Sequence, residues 1–189
     1  MYKSAKFRFT GVAPLLMHNG QLADPLNKFA QELKRFTSVR KKADDTHEKM
    51  ARAEFMGGLY IDEKGRPAIP GECIEAMVVA AAKESKQGKD AKKAIVCDGI
   101  YPLEYDGPKA AEALVGDERF HDRRRVKVGT SCVMRTRPIF NEWSLEVEIQ
   151  YLPEVMNRST LNEIIRAAEL VGIGDYRPRY GRFTSEVLA

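Results

Sequence analysis

Residues 5–12 alternate: Ala5, Phe7 and Phe9 fall on one side of an extended chain, Lys6 and Arg8 on the other. Period two predicts a half-buried strand. Pro14 and then Asn19-Gly20 break it. From Pro25 to about Arg35, Leu26, Phe29, Ala30 and Leu33 recur at helical spacing, and a second helix is predicted through Met50, Ala53 and Phe55. The stretch between them, residues 36–47, is polar and basic. Residues 58–69 read as a hairpin turning at Asp62 to Gly65. A strong helix then runs from Glu72 to about Ser85, with Ile74, Met77, Val78 and Ala81 on its apolar face. Gln87-Gly88-Lys89-Asp90 ends or interrupts it, and residues 95–103 read as one strand.

Residues 108–122 form a loop or small lobe rich in Gly, Ala and acidic residues. Two alternating segments flank Gly129-Thr130-Ser131 and predict a basic hairpin. The clearest strand is residues 143–151, with Leu145, Val147 and Ile149 on one face and Glu146, Glu148 and Gln150 on the other. Ser159-Thr160 is read as the cap of a helix whose buried stripe is Leu161, Ile164, Ile165, Ala168 and Leu170, with Glu163 completing a capping box. Gly172 ends that helix, and residues 182–188 add a last strand. The order fits an α+β fold, a ferredoxin-like βαββαβ core whose antiparallel sheet carries helices on one face.

A length of 189 residues supports one domain with insertions. Hydrophobic content of 43% and charged content of 31% describe an ordinary globular chain, and a net charge of +4 makes placement of charge matter more than its sum. Cys73, Cys97 and Cys132 are scattered and odd in number, which argues against disulfides and a zinc site and for small buried residues. No run is apolar enough to span a bilayer and no signal core opens the chain, so the expectation is a cytoplasmic protein with no membrane, metal or cofactor.

Three segments resemble the RAMP superfamily, the RRM-like backbone and processing subunits of CRISPR effector complexes, or a phage or mobile-element relative. Phe9-Thr10-Gly11-Val12-Ala13-Pro14-Leu15-Leu16 is similar to the first strand and its exit. Ala68-Ile69-Pro70-Gly71-Glu72-Cys73-Ile74-Glu75-Ala76 looks like the family's I-P-G-S-S-L-K-G element. Gly172-Ile173-Gly174 through Gly181-Arg182-Phe183 resembles the late glycine-rich loop. Glu72-Cys73 stands where small hydroxyl residues are usual, and Arg182 replaces a glycine. The resemblance implies an RRM-like domain over residues 1–189, with an inserted helical lobe near 20–57 and an acidic loop and basic hairpin, the thumb or part of the groove, within 104–140. It also implies head-to-tail self-association along single-stranded RNA and contact with other effector subunits.

The densest charge is Arg123, Arg124, Arg125 and Lys127, joined by Arg135 and Arg137 on the neighbouring strand as one positive patch. Such a patch takes phosphates without reading sequence. The late loop adds Arg177, Arg179 and Arg182 for phosphates, Tyr176 or Tyr180 for stacking on a base, and Gly172, Gly174 and Gly181 for close backbone approach. Arg40, Lys41 and Lys42 contribute from the helical lobe. His18, in a turn after the first strand, is the one candidate for a general base. Trp143 and Phe140 are assigned to the core. The reading is a non-enzymatic binder of single-stranded RNA or DNA, with RNA favoured by the resemblance. Two alternatives stay open: a metal-independent CRISPR-RNA-processing endoribonuclease, and a phage structural or assembly protein.

Overall fold

The computed structural model describes residues 1–188. In chain order its elements are β1 (Lys3–Gly11), β2 (Leu15–Leu16), α1 (Lys28–Thr37), α2 (Asp44–Gly58), β3 (Ala68–Pro70), α3 (Gly71–Glu84), α4 (Gly88–Ala94) and β4 (Ile95–Val96). Then follow β5 (Ile100–Pro102), α5 (Ala111–Leu114), β6 (His121–Val128), β7 (Ser131–Phe140), β8 (Ser144–Tyr151), α6 (Arg158–Val171) and β9 (Phe183–Val187).

The main sheet has the order β4-β8-β1-β9, and every pairing in it is antiparallel. Without residues 12–70 and 97–143, apart from α3, the path is β1-α3-β4-β8-α6-β9. That is βαββαβ with its fourth, first, third and second strands side by side, the ferredoxin-like arrangement. One face buries Ala5, Phe7, Phe9, Leu145, Val147 and Ile149 in a single core with Ile74, Met77, Val78, Leu161, Ile164 and Ile165 of α3 and α6. The other face is exposed and charged. Arg8 pairs with Glu146, and Lys6 lies 4.0 Å from Glu148. No aromatic side chain of β1, β8 or β9 points that way among the described residues, since alternation sends their rings into the core. This sheet therefore lacks the aromatic platform with which RRM sheets stack bases.

Several expectations give way to longer-range contacts. Leu26 is 81% exposed and precedes α1, because Asp24 Oδ1 accepts the Leu26 N–H (2.9 Å) and holds Pro25-Leu26 in a turn. Asn27 then caps α1 through the Phe29 N–H (2.9 Å). Residues 95–103 are two strands, with β4 on β8 and β5 on β3, divided at Gly99 with φ +105°. The start of α3 is wedged into that bend: Gly71 donates to the Gly99 carbonyl (2.9 Å), and a Cβ on Gly71 would stand 1.7 Å from the Cys97 oxygen. The turn at Asp62–Gly65 forms, but its ladder is one bridge, Ile61 to Pro67, since β3 pairs with β5.

Asn157, not Ser159 or Thr160, caps α6 by accepting the Thr160 N–H (2.9 Å). Leu170 is 71% exposed, because it lies two residues beyond Ala168 and so on the opposite side of the helix. Trp143 and Phe140 are core residues, as is Cys97; Cys73 is half-buried, and Cys132 is exposed on the hairpin. No helix of the described residues is long and apolar enough to cross a membrane.

Candidate nucleic-acid interface

The hairpin β6–β7 pairs Arg124 with Arg135 and Asp122 with Arg137 across the ladder. Strand alternation therefore divides the basic run between two faces. Arg124, Arg135 and Arg137 share one face, and Arg123, Arg125 and Lys127 the other. The single patch expected from the sequence does not form.

Each cation of the first face has a partner. Arg124 makes a two-point contact with Asp122, including Nε to Oδ2 at 2.6 Å, and donates to the Tyr180 hydroxyl. Arg135 donates to Glu54 of α2, which also accepts the Thr136 N–H (2.8 Å). Glu54 is buried, so this contact fastens the helical lobe to the hairpin. Arg137 lies 3.4 Å from Asp175. On the other face, Arg123, Arg125 and Lys127 are exposed and have no carboxylate partner within ion-pair distance among the described residues. Arg123 looks across an open groove of about 700 Å³ toward Asp45 and Glu48.

The partnered face meets the late loop in a ladder of guanidinium and phenol groups. Arg137 is 4.8 Å from the Tyr176 ring centre, and Arg124 is 5.6 Å from Tyr176 and 4.9 Å from Tyr180. Arg179 follows, 6.0 Å from Tyr180. Cation–π contact of this kind holds loop and hairpin together. Beside the ladder is a cleft of about 400 Å³ between lobe, hairpin and loop. Its polar wall is His18, Arg135, Arg137 and Tyr176; Leu22 and Leu33 face them.

The three glycines of the loop approach the chain's own backbone. A Cβ on Gly174 would stand 2.5 Å from the Leu16 oxygen, on Gly172 2.8 Å from the Tyr180 oxygen, and on Gly181 1.7 Å from the Ile173 oxygen. Asp175 and Gly181 donate to the carbonyls of Leu16 and Pro14 (both 2.8 Å), which bolts the loop to β2 and its approach. Arg177 reaches the Gly172 carbonyl at 3.5 Å, and Arg182 is exposed at the entry to β9. In the lobe, Lys42 caps α1 by donating to Thr37 and Val39 carbonyls (3.2 and 2.9 Å), while Arg40 and Lys41 remain exposed.

The three segments that carry the family resemblance converge. Met17, just after the first, Ile69 and Cys73 of the second, and Gly174 and Arg177 of the third surround a cavity of about 130 Å³, with His18 and Tyr60. Burial pushes the Cys73 thiol up, which keeps it un-ionised, and pushes Tyr60 up to about 12. His18 is exposed overall, yet its imidazole is crowded enough by protein to lose hydration. That loss first, and then the like charge of Arg137, lowers its pKa. The folded state thus binds fewer protons here than the unfolded chain, so stability contributed by neutral His18 is present above pH 6.5 and declines as pH falls below it. An NMR titration of the imidazole is expected to give a midpoint below 6.5, with the acid-side stability loss shallower in His18→Gln. A midpoint at or above 6.5 would mean a hydrated, unhindered ring. The described residues contain no group of three His, Cys, Asp or Glu side chains placed to hold a metal ion.

Asp122, Asp175 and Glu54 are the site residues that pattern reading passed over. Asp122, two residues before Arg124 on the same face of β6, was the one visible signal.

No family model matches the chain, and no curated protein matches it in sequence. Among solved structures, one chain of the Type III-B Cmr-beta complex bound to cognate target RNA aligns over 100% of this chain with a TM-score of 0.51 and 10% identity. This chain spans 59% of that one. Likeness at this level of identity is likeness of fold.

Proposed function

We propose that this chain binds single-stranded nucleic acid, RNA in preference to DNA, as a non-catalytic backbone-type subunit that multimerises head to tail along the strand in a CRISPR-like ribonucleoprotein. One observation carries the reading: a projecting hairpin presents Arg123, Arg125 and Lys127 to solvent without carboxylate partners among the described residues, beside the cleft walled by Arg135, Arg137 and Tyr176. Cations left unneutralised on a strand face are available to phosphates, whose binding releases counterions. The family resemblance and the fold shared with a chain of an RNA-bound assembly support RNA and other effector subunits as partners. The charged outer face of the main sheet, with Glu146 and Glu148, disfavours an RRM-type site there.

Gel filtration with light scattering, with and without labelled single strands, tests this. The expected result is a strand-dependent ladder of oligomers, RNA bound more tightly than DNA, and an intact strand afterwards. Failure to bind or multimerise on either strand at low salt would refute the proposal and favour an assembly protein. A second reading has one specific support: His18, with its lowered pKa, lines both the small cavity and the cleft. A neutral imidazole can accept a proton. That reading requires metal-independent RNA cleavage lost in His18→Ala, and intact RNA after long incubation eliminates it.

A further inference from the structure

Away from the hairpin, α3 and α4 border a groove of about 820 Å³ that the proposed strand site leaves unused. Its walls carry Lys83, Lys86, Lys89 and Lys92, and its floor includes Ala76 and Val79. The four ammonium groups recur every third residue across the break between the two helices. None has a carboxylate within ion-pair distance among the described residues. Glu84 and Asp90, on the same helices, neither line the groove nor pair with these lysines.

The backbone keeps the lysines in place. Lys86 sits in the connection with φ +62°, a conformation that a side chain of this size rarely adopts. Gly88 leaves room for the Lys83 stem, since a Cβ there would stand 2.6 Å from Lys83 Cγ. The far end of the groove is acidic: Glu72 and Glu75 line it, and Glu75 accepts the Cys97 N–H at 2.7 Å.

We propose that this groove docks an acidic amphipathic helix of a partner protein. The apolar floor takes the helix's hydrophobic stripe, and the lysines take its carboxylates. Nucleic acid fits less well. A phosphate chain following α3, about 21 Å long for its 14 residues, would run from the lysines onto Glu72 and Glu75. The lining also holds no arginine and no aromatic ring for phosphate forks or bases. Charge complementarity and a half-buried apolar floor are the features of helix-in-groove recognition.

Fluorescence anisotropy at low salt provides the test, with three labelled probes. They are a peptide of about 16 residues with a leucine stripe flanked by glutamates, its counterpart with lysines for glutamates, and a uridine oligomer. The acidic peptide is expected to bind and the basic one not. Charge reversal in K86E/K89E/K92E should weaken the acidic peptide at least about tenfold and leave the uridine oligomer unchanged. These lysines are exposed, and a thermal melt confirms the variant's fold; Val79→Glu, which blocks the floor, should have the same effect. The idea is overturned if the acidic peptide does not bind, or binds the variants as well as the wild type. It is also overturned if the uridine oligomer weakens in parallel, which marks a nucleic-acid surface, or if the variant only abolishes self-association in light scattering, which marks a second copy as occupant. Loss of strand binding through the hairpin would leave this result untouched, so the two proposals fail separately.

Discussion

Replacing Arg123, Arg125 and Lys127 together by glutamine is expected to lower affinity for a single strand roughly a hundredfold at about 0.1 M salt. Each phosphate contact on a single strand contributes about 0.7 to the slope of log affinity against log salt, so three lost contacts remove about 2 from that slope. A slope of about 2 at about 0.1 M corresponds to two decades of affinity. All three residues are exposed and lack carboxylate partners among the described residues, so the fold should be unchanged. Arg124→Gln is the informative contrast. Its guanidinium is committed to Asp122, Tyr180 and Tyr176, so its loss should loosen the late loop and leave the salt slope nearly as it was. A salt titration by anisotropy separates the two effects. If the triple variant keeps the wild-type slope, phosphate contact is not made through that face.

The contrast within the run Arg123-Arg124-Arg125 also shows what the sequence could and could not convey. Alternation identified β1 and β8, and helical spacing identified the buried stripes of α3 and α6, because each pattern repeats against one apolar layer. The same period of two placed Arg124 opposite to its neighbours, yet it could not show that Asp122, Tyr176 and Tyr180 would surround it. Those partners come from a loop some fifty residues away, and their meeting depends on the loop docking against Pro14 and Leu16. The glycines illustrate the same limit. Their freedom to take positive φ was visible, but whether the close neighbour is a ligand or the chain's own carbonyl is a tertiary fact. The lysines of the α3–α4 groove were equally visible at three-residue spacing and became a surface only once the break between the helices placed them around one floor.

Gly181→Ala is expected to produce the largest loss of stability among substitutions in the loop. Gly181 has φ +72°, which costs an L-residue about 1 kcal/mol. Its new Cβ would also stand 1.7 Å from the Ile173 oxygen and 2.8 Å from the Ile173 carbonyl carbon. Neither group can withdraw freely. The Ile173 N–H donates to the Gly181 carbonyl (2.9 Å), and the Gly181 N–H donates to Pro14 (2.8 Å), so relief of the clash breaks both bonds at about 1 kcal/mol each. The total is about 3 kcal/mol or more, which for a domain of this size lowers Tm by roughly 6–12 °C. Gly20→Ala is the control: a Cβ there meets nothing within 4 Å, so its effect should stay within about 0.5 kcal/mol. Because the loop also carries Tyr176 and Tyr180, Gly181→Ala should lose the Arg–Tyr ladder and with it the wall of the cleft. Strand affinity should then fall even at temperatures where the variant is folded. Differential scanning calorimetry, paired with anisotropy well below the melt, measures both consequences. A variant that melts with the wild type would mean that the loop is not held by the Ile173–Gly181–Pro14 contacts.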